Sequence, residues 1–309
     1  MTRAESLRLI QIKTNLERRA SILDAIRAFF INEGFLEVET PLLVPTVAPE
    51  QYITPFAVNG WFLSTSPEMH MKRLLAAGYG NIFQICQCFR KGERGKLHNP
   101  EFTMLEWYRR NAGYLQIIQD TERLVLSIAT NLHLGSTIHY QGRDIDLVPP
   151  WPITTVRQAF LDHAHWDPTS NPDPERFDID LVDKVMPNFA PNRPTVLLDY
   201  PAANASMARL KSADPLVSER AEVFIGGLEI ANAYSELIDA TELEQRFQSE
   251  IERLEQAGSQ HILMPRRFLK AVASLPPCGG NALGVDRLAM LFCDANSIDN
   301  VMAFPRDMA

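Results

Sequence analysis

Cysteine is scarce in this chain: four residues among 309, Cys86, Cys88, Cys278 and Cys293, with no CxxC pair. That scarcity excludes a disulfide scaffold, and the spacing excludes a zinc ribbon, whose ligands come in closely spaced pairs. Cys86 and Cys88 are two apart in an apolar run and share one face of a strand, so all four read as reduced core residues of a cytoplasmic protein. An excess of positive charge is also lacking. Thirty lysines and arginines against 38 aspartates and glutamates leave a formal charge of −8, which argues against a broad surface tracking nucleic-acid phosphates and leaves room only for a local basic site. No apolar run approaches the roughly eighteen residues of a membrane span, and the opening MTRAESLRLIQIK has no signal-peptide core. A soluble protein with no membrane partner is expected. What the chain does have is apolar mass, 46% hydrophobic against 22% charged residues, enough for one large core or two ordinary ones.

Periodicity then divides the chain. Residues 15–33 place Leu16, Ile22, Leu23, Ile26, Phe29 and Phe30 at helical spacing before Gly34, and FLEVETP alternates as a strand ended by Pro41. Residues 61–77 pass from an apolar run through Ser66-Pro67-Glu68 into a helix; Pro67 at a first helical position and Glu68 in the first turn suit a helix N-terminus. Residues 81–89 and 101–108 read as strands, the second with Phe102, Met104, Glu106 and Tyr108 on one face. Between them RKGERGKLHNP gathers Arg90, Lys91, Arg94, Lys96 and His98 around two glycines, a loop able to present several cationic donors to one anion.

Further on, 114–133 is helical, residues 138–148 form a hairpin turning at Gln141-Gly142, and short helices are expected at 154–163 and 178–185. His163 and His165, two apart in an expected helix, point to different faces and read as exposed or capping histidines in preference to a metal pair. Residues 195–200 read as a buried strand. Glu222, Glu229 and Glu236 recur every seven residues, but Gly226-Gly227 and the β-branched Val223 and Ile225 favour two antiparallel strands around a turn, aiming carboxylates into a shared cleft. Acids embedded in apolar runs need a cation. Helices follow at 241–257 and 266–273, and CGGNALGVDRLAMLF runs from glycines into an apolar helix.

Phe89-Arg90 and the unbroken HNPEFTMLEWYR from His98 to Arg109 resemble the second signature motif of class II aminoacyl-tRNA synthetases in its lysine-type form. Gly34 with Glu39-Thr40-Pro41 resembles motif 1, and the Gly280 to Arg287 stretch resembles motif 3. The resemblance covers residues 15–109 and 195–309 and is weak at 135–194. It implies an α+β fold, an antiparallel sheet flanked by helices, in one catalytic domain over 1–309 that pairs as a homodimer through motif 1. It further implies ATP and Mg2+ as cofactors, with Glu222 and Glu229 holding the metal. ATP would meet Arg90, Lys91, Gly92, Glu93, His98, Asn99, Phe102, Glu229, Ile230, Gly284 and Arg287; Glu93 stands one place beyond the family's usual acid, where this chain has Gly92. The amino acid would meet Ser66, Pro67, Glu68, Tyr108, Asn232, Glu236 and Ala282.

The residues themselves support the same chemistry. Joining an amino-acid carboxylate to the α-phosphate of ATP brings two anions together, so positive charge must come between them; the Arg90 fork and metal-bearing glutamates supply it, and Arg90 and Arg287 are the expected catalytic residues. Phe102 and Arg287 would sandwich adenine, while Tyr108 and Glu236 grip a distant ammonium, selecting lysine or an isomer. Motif 1 begins within the first forty residues, leaving no room for the anticodon-reading barrel of about a hundred residues, and Ala282 stands where lysine-type synthetases carry glycine. Both features resemble a truncated branch of the family that transfers (R)-β-lysine to a lysine ε-amine of elongation factor P, which makes tRNA the less favoured acceptor. A reduced enzyme charging tRNA and a non-catalytic regulatory relative are the alternatives; retention of Arg90, the three glutamates and Arg287 together speaks against the second.

Overall fold

The two strands expected at 81–108 are Ile82–Phe89 and Glu101–Arg110, paired antiparallel with Ile85 opposite Leu105 and Cys88 opposite Phe102. They belong to a nine-stranded sheet in the computed structural model, which describes residues 2–308. Across the sheet the order is Leu36–Glu37, Ile82–Phe89, Glu101–Arg110, Cys278–Gly284, Leu228–Ser235, Asp214–Ile225, Thr195–Pro201 and Ile153–Thr155, with Leu210–Lys211 paired to Asp214–Ile225. The two outermost strands run parallel to their neighbours and the interior pairs are antiparallel.

Alternation gives the sheet two different faces. Leu105, Trp107, Ala221, Val223, Ala231, Ala233 and Leu283 are buried in the main core, where the helices Lys13–Asn32, Tyr114–Asn131 and Val285–Phe292 contribute Ile26, Phe30, Ile118 and Leu288. Phe30 ties the layers together, stacked on Phe83 at 4.8 Å between centroids and tilted against Trp107 at 5.2 Å. The intervening residues Phe102, Met104, Glu106, Asn232, Tyr234 and Ala282 line a cavity on the opposite face. The segment of weak resemblance joins the same sheet: Val156, Phe160 and Phe177 pack with Leu197, Tyr200 and Phe224.

Differences from the expected elements are local. Arg3–Gln11 is an additional helix, with Thr2 and Glu5 forming a reciprocal capping box, a pattern legible as T-x-x-E. FLEVETP contributes only Leu36–Glu37 to the sheet. The helix expected at 178–185 begins at Pro174 behind an Asp173 cap and widens over Leu181–Val185. His163 ends its helix and His165 lies beyond it at φ 61°, so the two do not share one. No helix among the described residues is long and apolar enough to cross a membrane.

Gly226 and Gly227 form the two-residue turn between Asp214–Ile225 and Leu228–Ser235, both at positive φ, 60° and 83°. A methyl at Gly226 would lie 2.7 Å from the Tyr140 ring, whereas one at Gly227 meets nothing within 4 Å. Gly227→Ala should cost about 1–2 kcal/mol, the price of a left-handed alanine, and Gly226→Ala about 1–3 kcal/mol more from overpacking. Urea denaturation of the two variants measures the difference; equal losses would contradict the packing assigned to Tyr140.

Candidate active site

Four neighbouring strands build the floor of a cavity of about 710 Å³. Phe102, Met104 and Glu106 rise from one strand, Ala282 and Gly284 from the next, Ile230, Asn232 and Tyr234 from the third, and Arg220 from the fourth. Register places Ala282 directly between Glu106 and Asn232. Arg90, Glu93 and His98 of the basic loop, together with Glu50 and Tyr52 of the segment after Leu43–Val44, complete the walls. A volume of this size suits a nucleotide or a small organic substrate.

The cationic end is assembled from the loop and the last strand-to-helix junction. The Arg90 guanidinium lies 5.2 Å over the Phe102 ring, Nε donates to the Thr65 carbonyl at 3.4 Å and Nη1 to Glu93 at 3.4 Å. Burial opposes its charge, but Glu93 and Glu50 outweigh burial and hold Arg90 protonated. Arg287 donates from Nη1 to the Glu229 carbonyl at 2.9 Å and lies 2.5 Å from His98 Nε2. Burial and the Arg287 charge depress the His98 pKa, so the neutral imidazole nitrogen accepts from the guanidinium. The guanidinium resting on Phe102 is that of Arg90, and Phe102 and Arg287, the pair expected to sandwich adenine, both line the cavity. Asn99 lines the cavity and orders the loop, donating to the Glu101 carbonyl at 2.6 Å and accepting from the Arg306 amide at 3.2 Å. Lys91 and Gly92 are exposed and do not line the cavity.

The opposite end is acidic. Lys72, one turn beyond Glu68 on the Glu68–Ala76 helix, puts its ammonium in ion pairs with both Glu68 and Glu236, 2.5 Å from the latter, and 5.8 Å from the centre of the Tyr108 ring. Lys72 and Glu236 are each 2% exposed. Burial disfavours the Lys72 charge, yet Glu236 and Glu68 raise its pKa above the usual lysine value; burial lifts Glu236 to about 7 in spite of Lys72. Glu106, also 2% exposed, accepts from Ser66 Oγ at 2.6 Å and leaves its second oxygen without a partner. Burial and then Glu68 push it well above the usual carboxylate range. Two carboxylates thus share one ammonium, and a third, Glu106, stands near them without an ion pair. Ser66 Oγ also accepts from the Glu68 amide at 3.0 Å, and the buried Pro67 caps the helix without lining the cavity.

Several expected contacts sit one layer back. Tyr108 and Glu236 are buried and do not line the cavity; Gly280 is the reason they fit, since a methyl there would lie 2.3 Å from Glu236 Oε1 and 2.4 Å from the Tyr108 ring. Glu222 is likewise buried off the wall, accepting from Tyr200 Oη at 2.5 Å, Arg220 Nη2 at 2.7 Å and Asn232 Nδ2 at 3.2 Å. Arg220 also donates to Asn232 Oδ1 at 3.2 Å and stacks over Tyr200 at 4.6 Å. Glu106, Lys72, Arg220 and Gly280 were not singled out from sequence. Each carried a signal: Glu106 lies on the Phe102 strand face, Lys72 four residues after Glu68, Arg220 two before Glu222, and Gly280 within a glycine pair.

The described residues contain no group of three or more His, Cys, Asp or Glu able to hold a metal. Glu222 and Glu229 are nevertheless close enough that Glu229 follows burial as the main cause of the raised Glu222 pKa. A cation on nucleotide phosphates needs only one or two protein carboxylates; of this pair Glu229 lines the cavity, and Glu222 is engaged by Tyr200, Arg220 and Asn232.

Residues 2–308 match the family model described as tRNA synthetases class II (D, K and N). The chain belongs to that family. Within it, the chain is 38% identical over 312 residues to the elongation factor P-(R)-beta-lysine ligase of Salmonella gallinarum and 37% identical over 311 residues to those of Salmonella paratyphi A and Salmonella heidelberg, with 96% of each sequence covered in every case. The class II family membership agrees with the large, mostly antiparallel sheet flanked by helices.

Removing the ammonium should expose the strain in the acid cluster. Lys72→Met leaves buried carboxylates uncompensated and should cost about 3–5 kcal/mol in urea denaturation. Adding Glu236→Gln should recover part of that loss, because the unpaired charge goes with it. A loss for Lys72→Met below about 1 kcal/mol would contradict the ion-pair assignment.

Proposed function

We propose that the chain is an ATP-dependent ligase that activates (R)-β-lysine or lysine as an aminoacyl-adenylate and transfers it to a lysine ε-amine of elongation factor P. The observation that carries this reading is the polarity of one cavity: an arginine-rich end faces an acidic end where Glu68 and Glu106 line the wall, Glu236 lies behind it, and Lys72 pairs with only Glu68 and Glu236. That surplus of carboxylate suits a substrate with an amine at its far end and a carboxylate at its near one. The relatives, elongation factor P-(R)-beta-lysine ligases matched over 96% of their length, support the acceptor.

In the first step a substrate carboxylate oxygen attacks the α-phosphorus of ATP and pyrophosphate leaves. Arg90 lies between Phe102 and Glu93, where its fork would donate to carboxylate and phosphate together. Arg287 and His98 would receive the nucleotide, Ile230 and Gly284 line its wall, and Glu229 on the wall with Glu222 buried behind it would hold Mg2+ on the phosphates. The metal, when bound, supplies charge neutralisation between the two anions. Asn232 is oriented by Arg220 to bind the carboxylate end, and Ala282 narrows the floor between Glu106 and Asn232. Selection between α- and β-lysine at a single methyl is worth about 1–3 kcal/mol.

Mass spectrometry of elongation factor P incubated with the protein, ATP and each lysine isomer tests the reading. A mass gain of one lysyl group, larger with (R)-β-lysine and without tRNA, is expected. Label appearing on tRNA and never on the factor would replace the reading with tRNA charging, and absence of ATP–pyrophosphate exchange with any isomer would point to a non-catalytic relative.

Ionisation of the acid end sets a pH dependence. Glu106 and Glu236 titrate above the ordinary range, so protons occupy them at low pH and compete with a substrate ammonium. The kcat/KM for lysine in pyrophosphate exchange should rise between about pH 6 and 8, and a profile falling over that interval would contradict the assignment.

We also propose a homodimer through the motif 1 region, where Ile31, Leu36, Leu42 and Leu43 are exposed. Analytical ultracentrifugation at micromolar concentration should give twice the 34.9 kDa chain mass; a monomer would count against it.

A further inference from the structure

Transfer needs a group the first step does not use, because the acceptor lysine arrives as an ammonium with an ordinary pKa near 10.4 and is not a nucleophile in that form. Seven carboxylates line the cavity: Glu50, Glu68, Glu93, Glu106, Glu229, Glu250 and Asp286. Six are engaged. Glu68 pairs with Lys72, Glu93 with Arg90, Glu229 with Arg287, Glu250 with Arg253, Asp286 with Arg19, and Glu106 accepts from Ser66. The Glu50 carboxylate alone has neither a hydrogen bond nor an ion pair among the described residues.

Its position is defined by the backbone around it. The Ile53 amide donates to the Glu50 carbonyl at 3.2 Å, closing a turn, and the Gln51 amide donates to Glu250 at 3.2 Å. Lys91, next to Arg90, donates its amide to the Thr54 carbonyl at 2.8 Å, which fastens the segment to the basic loop. Tyr52, two residues on, lines the same cavity yet is 69% exposed, so this segment forms part of the rim by which a macromolecular side chain would enter.

Resting on the ligase reading above, we propose that Glu50 is the general base that deprotonates the acceptor amine. The acceptor ammonium gives one proton to the Glu50 carboxylate. The nitrogen lone pair forms the amide C–N bond at the adenylate carbonyl carbon, the C–O bond to phosphate breaks with its electron pair leaving on AMP, and the second proton passes from nitrogen to solvent. The charged groups facing Glu50 are Glu68 on its helix, Arg90 at the loop, Arg220 on the sheet and Glu250 on the Ala240–Gln256 helix. Burial, then Glu68, push Glu50 up to about 7, with Arg90 and Arg220 opposing, a value suited to accepting a proton at neutral pH.

The test compares two half-reactions in wild type, Glu50→Gln and Glu50→Asp: ATP–pyrophosphate exchange with (R)-β-lysine, and single-turnover transfer from preformed adenylate to elongation factor P. Glu50→Gln should depress transfer about 10²-fold or more beyond any effect on exchange, and Glu50→Asp should restore most of it. Wild-type transfer should climb with pH to a plateau above about 7, an inflection that Glu50→Gln removes. Equal depression of both half-reactions, unimpaired transfer, or an inflection that survives the substitution overturns the role of Glu50 and leaves the ligase reading intact. A wild-type protein that exchanges but never modifies the factor overturns that reading, and the base with it.

Discussion

Two buried carboxylates, Glu106 and Glu236, and the half-buried Glu68 gathered near one lysine ammonium are the constraint on which the site depends. Glu68, Glu106 and Glu236 would repel one another in a medium far less polar than water, and Lys72 compensates only part of their charge. The remaining negative character has two consequences. It raises the affinity of the pocket for protons, displacing Glu106 and Glu236 upward, and on the proposed reading it would equally favour an amine brought in by a substrate. A fully compensated cluster would be a structural ion pair with no appetite for a ligand.

The sheet makes this arrangement possible by separating two jobs along the same strands. Leu105 and Trp107 anchor the core while Met104 and Glu106, their immediate neighbours, face the cavity. The packing of Phe30 against Phe83 and Trp107 therefore fixes the height and register of Glu106 as surely as its own hydrogen bond to Ser66 does. Gly280 belongs to the same design, leaving space on the middle strand for Tyr108 and Glu236 from its two neighbours. At the other end, Arg90 stands between an aromatic face and an acid, and Arg287 leans on a neutral His98, so the cations are oriented without being cancelled.

Strands and hairpins were the most legible features, because period-two alternation is strong in 81–89, 101–108 and 219–237 and the turns carry Gln141-Gly142 and Gly226-Gly227. Face assignments followed from parity, and Phe102 and Glu106 do share the cavity side. Less legible was anything decided by depth. Tyr108, Glu222 and Glu236 have the right parity but lie behind the wall, and parity carries no information about the layer a side chain reaches. The contacts of Arg90 with Phe102 and of Arg287 with His98 were not legible either, since the direction of a guanidinium depends on partners distant in sequence. Glu50 had no sequence signal: it belongs to an irregular segment whose placement is set by Thr54 and Glu250 contacts across the fold.

The central claim is that buried surplus carboxylate selects the substrate by its far amine. Calorimetric titration of the protein with lysine and with norleucine, which keeps the carbon chain and lacks the ε-amine, examines that claim most directly. Norleucine should bind weaker by roughly 10³-fold or more, as expected when a buried polar site loses its partner. Comparable affinities for the two amino acids would contradict it.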